Sequence, residues 1–179
     1  MIYVFLANGF EETEAVAPID ILRRSGADVK TVGIGSKTVT SSHKLTVTAD
    51  LGEDEAGFDG LEAVVLPGGM PGTRNLEASE TVQRFLDFAW ENGLVIGAIC
   101  AAPSVLGHKG FLDGKKATCF PGFESELLGA QFVGAPAVTD GNVITGKGAG
   151  AAIEFGLALS AKLCGEDTAK KVRESMQCP

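Results

Sequence analysis

Histidine is scarce in this chain. Only His43 and His108 occur in 179 residues, so a site built on imidazole has just two candidates. His108 falls about two helical turns from the nearest strand-end nucleophile, too far for direct pairing. Positive charge is also in deficit: 15 basic residues face 23 acidic ones, for a net charge of −8 and a pI near 4.8. That balance argues against nucleic acid as a partner. No apolar run reaches the length of a membrane span, and Met1-Ile2-Tyr3-Val4 carries no basic leader. The expectation is a cytoplasmic protein with no membrane partner. Cys100, Cys119, Cys164 and Cys178 show neither close pairing nor CxxC spacing, so no metal is expected and the thiols should stay reduced. Neither GxGxxG nor a P-loop Lys-Ser/Thr occurs, which leaves Gly148-Ala149-Gly150 a weak phosphate loop and implies no cofactor.

What is present is enough for one domain spanning residues 1–179: hydrophobic residues make up 45% of the chain, and no repeat or linker interrupts it. Met1 to Ala7 reads as a first strand broken by Asn8-Gly9. Ala15 to Arg24 has helical character and stops at Gly26, with Pro18 predicting a kink or a late helix start. Val29 to Ile34 is a second strand, Ser36 to Asp50 alternates as an exposed hairpin does, and Ala63 to Leu66 is a short buried strand. Val82, Phe85, Leu86 and Ala89 form one stripe of an amphipathic helix capped by Ser79. After the Cys100 region, Val138 to Thr145 reads as a tight hairpin. Two helices follow, from about Ala151 to Leu163 and from Asp167 to Met176. Strands alternating with helices predict an α/β fold with a mainly parallel, doubly wound sheet and helices on both faces. Sites in such sheets form at the carboxyl ends of strands.

Three loops at those ends are equipped for chemistry: Asn8 to Glu14, Pro67 to Gly72, and the turn at Cys100. Leu94 to Ile99 is an apolar strand, and Pro103 suits the first turn of a helix. A thiol between them faces a helix N-terminus, which predicts a lowered thiol pKa. Backbone N–H groups of Gly69 and Ala101 are candidate oxyanion donors. Glu11, Glu12 and Glu14 crowd the first helix start, where acids are common for dipole reasons alone. One of them, kept neutral by burial, would serve as a proton partner for the thiol; the residues by themselves do not choose among the three. Cys119 and Cys164 read as small buried hydrophobes and Cys178 as a tail residue.

Gly9-Phe10-Glu11-Glu12-Thr13-Glu14-Ala15-Val16, Val64-Val65-Leu66-Pro67-Gly68-Gly69 and Ala98-Ile99-Cys100-Ala101-Ala102-Pro103 together resemble the ThiJ/PfpI superfamily in its DJ-1 branch. Gly148-Ala149-Gly150 with Glu154-Phe155 resembles that family's glycine loop and last core helix. The resemblance implies a flavodoxin-like fold and a homodimer built around the first helix. It makes Cys100 the nucleophile and oxidation-sensitive thiol, and Glu14 the buried carboxyl beside it. Gly69 and Ala101 match the backbone donors, and Arg24 the family's arginine near the dimer interface.

Two departures stand out. Thr118-Cys119-Phe120-Pro121 puts Phe120 where members with glyoxalase or deglycase activity often carry a histidine near the thiol, although some relatives also lack it, and His43 stands where an arginine is common. Ala101 replaces the histidine that follows the cysteine in the protease-like branch, which excludes the peptidase reading. The implied function is cysteine-dependent action on small reactive carbonyls or glycated substrates, of the glyoxalase or protein deglycase type. The rival is a non-catalytic redox sensor that uses oxidation of Cys100 to sulfinate.

Overall fold

Runs such as Ile2-Tyr3-Val4-Phe5-Leu6 and Ala63-Val64-Val65-Leu66 have no polar alternation, so their strands must be covered on both faces. The computed structural model, which describes residues 1–178, shows this. In chain order the elements are β1 (Ile2–Leu6), α1 (Glu12–Arg24), β2 (Val29–Gly33), β3 (Thr38–Thr40), β4 (Thr46–Thr48), β5 (Leu51–Gly52), β6 (Ala63–Leu66), α2 (Gly72–Ala78), α3 (Glu80–Glu91), β7 (Val95–Ile99), α4 (Pro103–His108), β8 (Lys116–Ala117), β9 (Gln131–Phe132), β10 (Ala137–Asp140), β11 (Val143–Gly146), α5 (Ala152–Cys164) and α6 (Glu166–Ser175). Seven strands form one sheet in the order β10-β11-β7-β6-β1-β2-β5. Every pairing in it is parallel except β10 with β11. This is the expected doubly wound, flavodoxin-like arrangement.

Alternate residues of the central strands feed two separate cores, as the two-residue strand period requires. Tyr3, Phe5, Val64, Leu66, Ile96 and Ala98 point toward α3 and α4, where Val82, Phe85, Leu86, Val105 and Leu106 cover them. Ile2, Val4, Leu6, Ala63, Val65 and Ile99 point the other way, onto Ala15 and Leu22 of α1 and Phe155 and Leu159 of α5. Ser79 caps α3 as expected, its side-chain oxygen accepting from the Val82 N–H at 3.3 Å. The exposed hairpin is β3–β4, and Gly141-Asn142 turns β10 into β11. Among the described residues no helix is long and apolar enough to cross a membrane.

One expectation is corrected. Pro18 does not delay α1, which starts six residues earlier at Glu12 behind Glu11 as N-cap. The buried face of Glu14, Ala15, Pro18, Ile21 and Leu22 holds the helix together. Only the hydrogen bond that a residue-18 N–H would give the Glu14 carbonyl is lost. That earlier start is what places Glu14 in the first turn, aimed into the fold.

Candidate active site

Cys100 follows the last residue of β7 and adopts φ +67°. A non-glycine residue in this left-handed region costs about 1–2 kcal/mol, so the turn must be held from outside. Its own N–H donates to the Gly146 carbonyl at 2.9 Å, and its carbonyl accepts from the Phe120 N–H at 2.8 Å. These two bonds aim Sγ away from the sheet and toward α1.

Glu14 meets it there. The carboxyl is 1% exposed, contacts the Cys100 thiol, and accepts from the backbone N–H groups of Gly68, at 3.0 Å, and Ala149. The Gly69 and Ala101 N–H groups point at the sulfur. Each acid therefore has two backbone donors, one pair for oxygen and one for sulfur. Gly68 is required by this closeness. A Cβ on it would lie 2.6 Å from both Cys100 Cβ and Glu14 Oε2.

Burial pushes the Glu14 carboxyl up from 4.5 to about 7. Burial, then the negative charge of Glu14, pushes the thiol up to about 12. The expected lowering of the thiol by the helix dipole is thus not found. α4 is only six residues long and starts at Pro103, and burial together with the anionic carboxyl outweighs it. The two groups titrate as a pair. Between about 7 and about 12 the charge rests on the Glu14 carboxylate and the proton on the Cys100 sulfur, with the two groups in hydrogen-bond contact. The Gly68 and Ala149 donors favour the charge on oxygen; those of Gly69 and Ala101 favour it on sulfur.

The three loops named from sequence do converge. The Glu11 N–H donates to the Gly68 carbonyl at 2.9 Å, and the Gly72 N–H donates to that of Gly9 at 3.2 Å. Two further segments complete it: that of Phe120, which the resemblance sets in the place of a family histidine, and the Gly148-Ala149-Gly150 loop. Ala149 supplies a donor to Glu14, and the turn at Phe120 forms a wall. Phe120 is 48% exposed, and a Cβ on Gly148 would sit 3.2 Å from its ring. With Pro121, Pro136, Lys147 and Ala151 it lines an open groove of about 540 Å³ beside the pair. The β-rich pattern around Thr118 gave no signal that its end returns to Cys100, since that depends on one backbone hydrogen bond.

The remaining sequence candidates lie apart. Arg24 is ten residues beyond Glu14 on α1 and pairs with Asp20 at 2.7 Å. His43, largely exposed, sits 3.2 Å from Glu12 at the start of α1. Glu11, Glu12 and His43 are the described residues able to share a cation, with donor atoms all within 4.8 Å of one another. Glu11 is, however, already engaged with the Glu14 N–H at 2.7 Å. Cys119 is fully buried, whereas Cys164 is only half-buried at the end of α5. His108, too far along α4 to pair with the thiol, is held between Glu77 and Glu126.

Comparison with known proteins agrees with this architecture. Protein DJ-1 homolog B of Arabidopsis thaliana is 40% identical over 168 residues, which is 93% of this chain but 38% of the plant protein. The chain therefore spans well under half the length of that relative. A Pyrococcus abyssi protein named a deglycase is 28% identical over 148 residues, covering 82% of this chain and 89% of its own. A Salmonella typhimurium DJ-1 superfamily structure superposes with a TM-score of 0.94 at 38% identity, over 99% of this chain and 98% of that one. Oxidised Toxoplasma gondii DJ-1 gives 0.94 at 31% identity, over 98% and 97%. The model of the DJ-1/PfpI family matches residues 1–162; the chain belongs to this family, in its DJ-1 branch.

Proposed function

We propose that this protein acts on small reactive carbonyls such as methylglyoxal, or on their adducts, with Cys100 as nucleophile. The observation that carries the reading is the contact of the Cys100 thiol with the buried Glu14 carboxyl, each group faced by two backbone N–H donors. Sγ attacks the carbonyl carbon while its proton passes to Glu14, so no free thiolate need accumulate. As the S–C bond forms, negative charge moves to the carbonyl oxygen. The Gly69 and Ala101 N–H groups, released from the sulfur, stabilise it there. Glu14 returns the proton to give the hemithioacetal and is again ionised for the next transfer. Its value near 7 matches a group that must both take and give a proton at neutral pH. The deglycase name of the Pyrococcus relative supports the same substrate class. Phe120 supplies an apolar wall and no imidazole, so all proton transfer rests on Glu14.

The test is methylglyoxal turnover by wild type and Cys100→Ser. A loss of at least about 100-fold is expected; equal rates would sink the assignment. A second reading is favoured by the Toxoplasma relative solved in oxidised form: Cys100 as a peroxide-sensitive thiol whose sulfinate accepts a hydrogen bond from protonated Glu14. Intact mass and peptide mapping after mild peroxide decide it, since oxygen on Cys119 or Cys178 with Cys100 spared excludes sensing. For either role we propose a cytoplasmic homodimer that packs through α1, consistent with the exposed Val16 on that helix. Sedimentation at micromolar concentration tests the assembly.

A further inference from the structure

His108, the last residue of α4, takes no part in the chemistry above. Its neighbour Gly107 is buried, and a Cβ there would collide with the backbone of residues 126–128. Helix and segment therefore run backbone against backbone at this point. That approach brings Glu126 Oε2 to 2.8 Å from His108 Nε2, while Glu77 Oε1 at the end of α2 lies 2.5 Å from Nδ1. A neutral imidazole has one N–H and one lone pair, and a lone pair facing a carboxylate is repulsive; only the imidazolium satisfies both sides. Nearby charges are otherwise engaged. Lys109 binds Asp87 at 2.7 Å and Gln83 of α3 at 3.0 Å. Gln83 donates to the Glu77 carbonyl at 2.8 Å. Glu124 turns its carboxylate to the Gly122 N–H at 2.7 Å.

The three segments joined at His108 each carry part of the site. α2 follows the Gly68-Gly69 loop, and α4 follows Cys100. Residues 120–126 are a run of turns, with Phe123 N–H on the Phe120 carbonyl at 3.1 Å and Glu126 N–H on the Phe123 carbonyl at 3.0 Å. Glu126 is thus tied through two successive turns to Phe120, the wall of the groove.

We propose that His108 is a positioning residue: as an imidazolium bridging Glu77 and Glu126, it locks the Phe120–Glu126 turns against α4 and sets the place of the Phe120 wall beside Cys100. Both carboxylates raise the ring's pKa above its usual 6.5. The sign follows: the clamp holds below the unfolded value and is released as pH rises through the raised folded one. Loss of one N–H leaves one carboxylate without a partner, and the turns loosen. This concerns the shape of the site and stands whether or not the substrate is a carbonyl.

Cys119, fully buried directly before the anchored turns, reports their opening. The full-length protein is labelled with 4,4′-dithiodipyridine and Cys119 modification is followed by peptide mass spectrometry. Each rate is divided by that of an unstructured cysteine peptide at the same pH. In wild type the corrected rate should rise about tenfold or more between about pH 6 and about pH 8.5. His108→Asn should label fast at both. His108→Arg keeps a non-titrating cation with donors toward both carboxylates and should label slowly at both. A wild-type rate flat with pH, a slow His108→Asn, or a His108→Arg that still responds to pH overturns the proposal. So does a pH response that persists in His108→Asn and disappears in Glu14→Gln, which assigns the motion to the catalytic pair. If His108→Asn does not fold, the wild-type pH ratio against that of His108→Arg decides alone.

Discussion

Glu14→Gln removes the one ionisable oxygen at the sulfur while keeping the side chain's shape, and its consequences can be worked out in advance. The wild-type carboxyl is raised from 4.5 to about 7 by burial. A carboxyl with a raised folded value destabilises the fold when ionised. The penalty is absent below the unfolded value, builds as pH climbs, and is complete above the folded one. At about 1.4 kcal/mol per pH unit the 2.5-unit gap amounts to roughly 3 kcal/mol at about pH 8. Glutamine escapes this penalty but sets an amide NH₂ against a backbone donor, an opposing cost of about 1–3 kcal/mol. That cost is the same at every pH, so the informative quantity is the difference between two conditions. Relative to wild type, the variant's melting temperature should gain about 6–12 °C more at about pH 8 than at about pH 4.5, at about 2–4 °C per kcal/mol for a chain of this size. Alkylation of Cys100 gives an independent readout. Wild type should show steps near 7 and near 12. Loss of the carboxylate charge should lower the upper step, while burial, the larger cause, keeps it above that of a free thiol. The lower step should vanish. A variant that keeps the step near 7, or whose stability gain does not depend on pH, would refute the coupling of Glu14 to Cys100.

Two further substitutions probe the scaffold. Gly68→Ala forces a methyl to 2.6 Å from Cys100 Cβ and Glu14 Oε2, so it should separate the pair and cost about 1–3 kcal/mol in urea unfolding. It should also remove the step near 7 from the Cys100 alkylation profile, whereas a wild-type profile would show that the site tolerates a wider gap. Ser79→Ala removes the cap on Val82 N–H at the start of α3 and should cost about 1 kcal/mol. Cys100 reactivity should be unchanged, since α3 does not touch the site.

Much of the fold was legible because its signals are local. Uniformly apolar strands, the Ser79 cap, Pro103 at the first turn of α4 and the turn at Gly141 each depend on neighbours a few residues away. The position of Cys100 at a strand end and the glycines after β6 were legible for the same reason, and three of the five segments at the site were named from them. Pro18 misled, because the helix is kept by a buried face formed only when α1 meets the sheet and α5. The thiol's pKa misled for a related reason. A helix N-terminus is visible in sequence, but the burial of the sulfur, and a carboxyl 86 residues away, that oppose it are not.

By itself the sequence determined that Cys100 stands on a strand-to-helix turn, that acids crowd the start of the first helix, and that no imidazole sits beside the thiol. The residues by themselves left three acids open and the resemblance pointed to Glu14; tertiary structure put that carboxyl against the sulfur, set four backbone donors around the pair, and made Ala149 one of them. It also decided that His108 lies between two carboxylates from different segments. The division has one cause. Composition and spacing set what each short segment can become, whereas a proton's position depends on which groups from distant segments are buried together, out of reach of water.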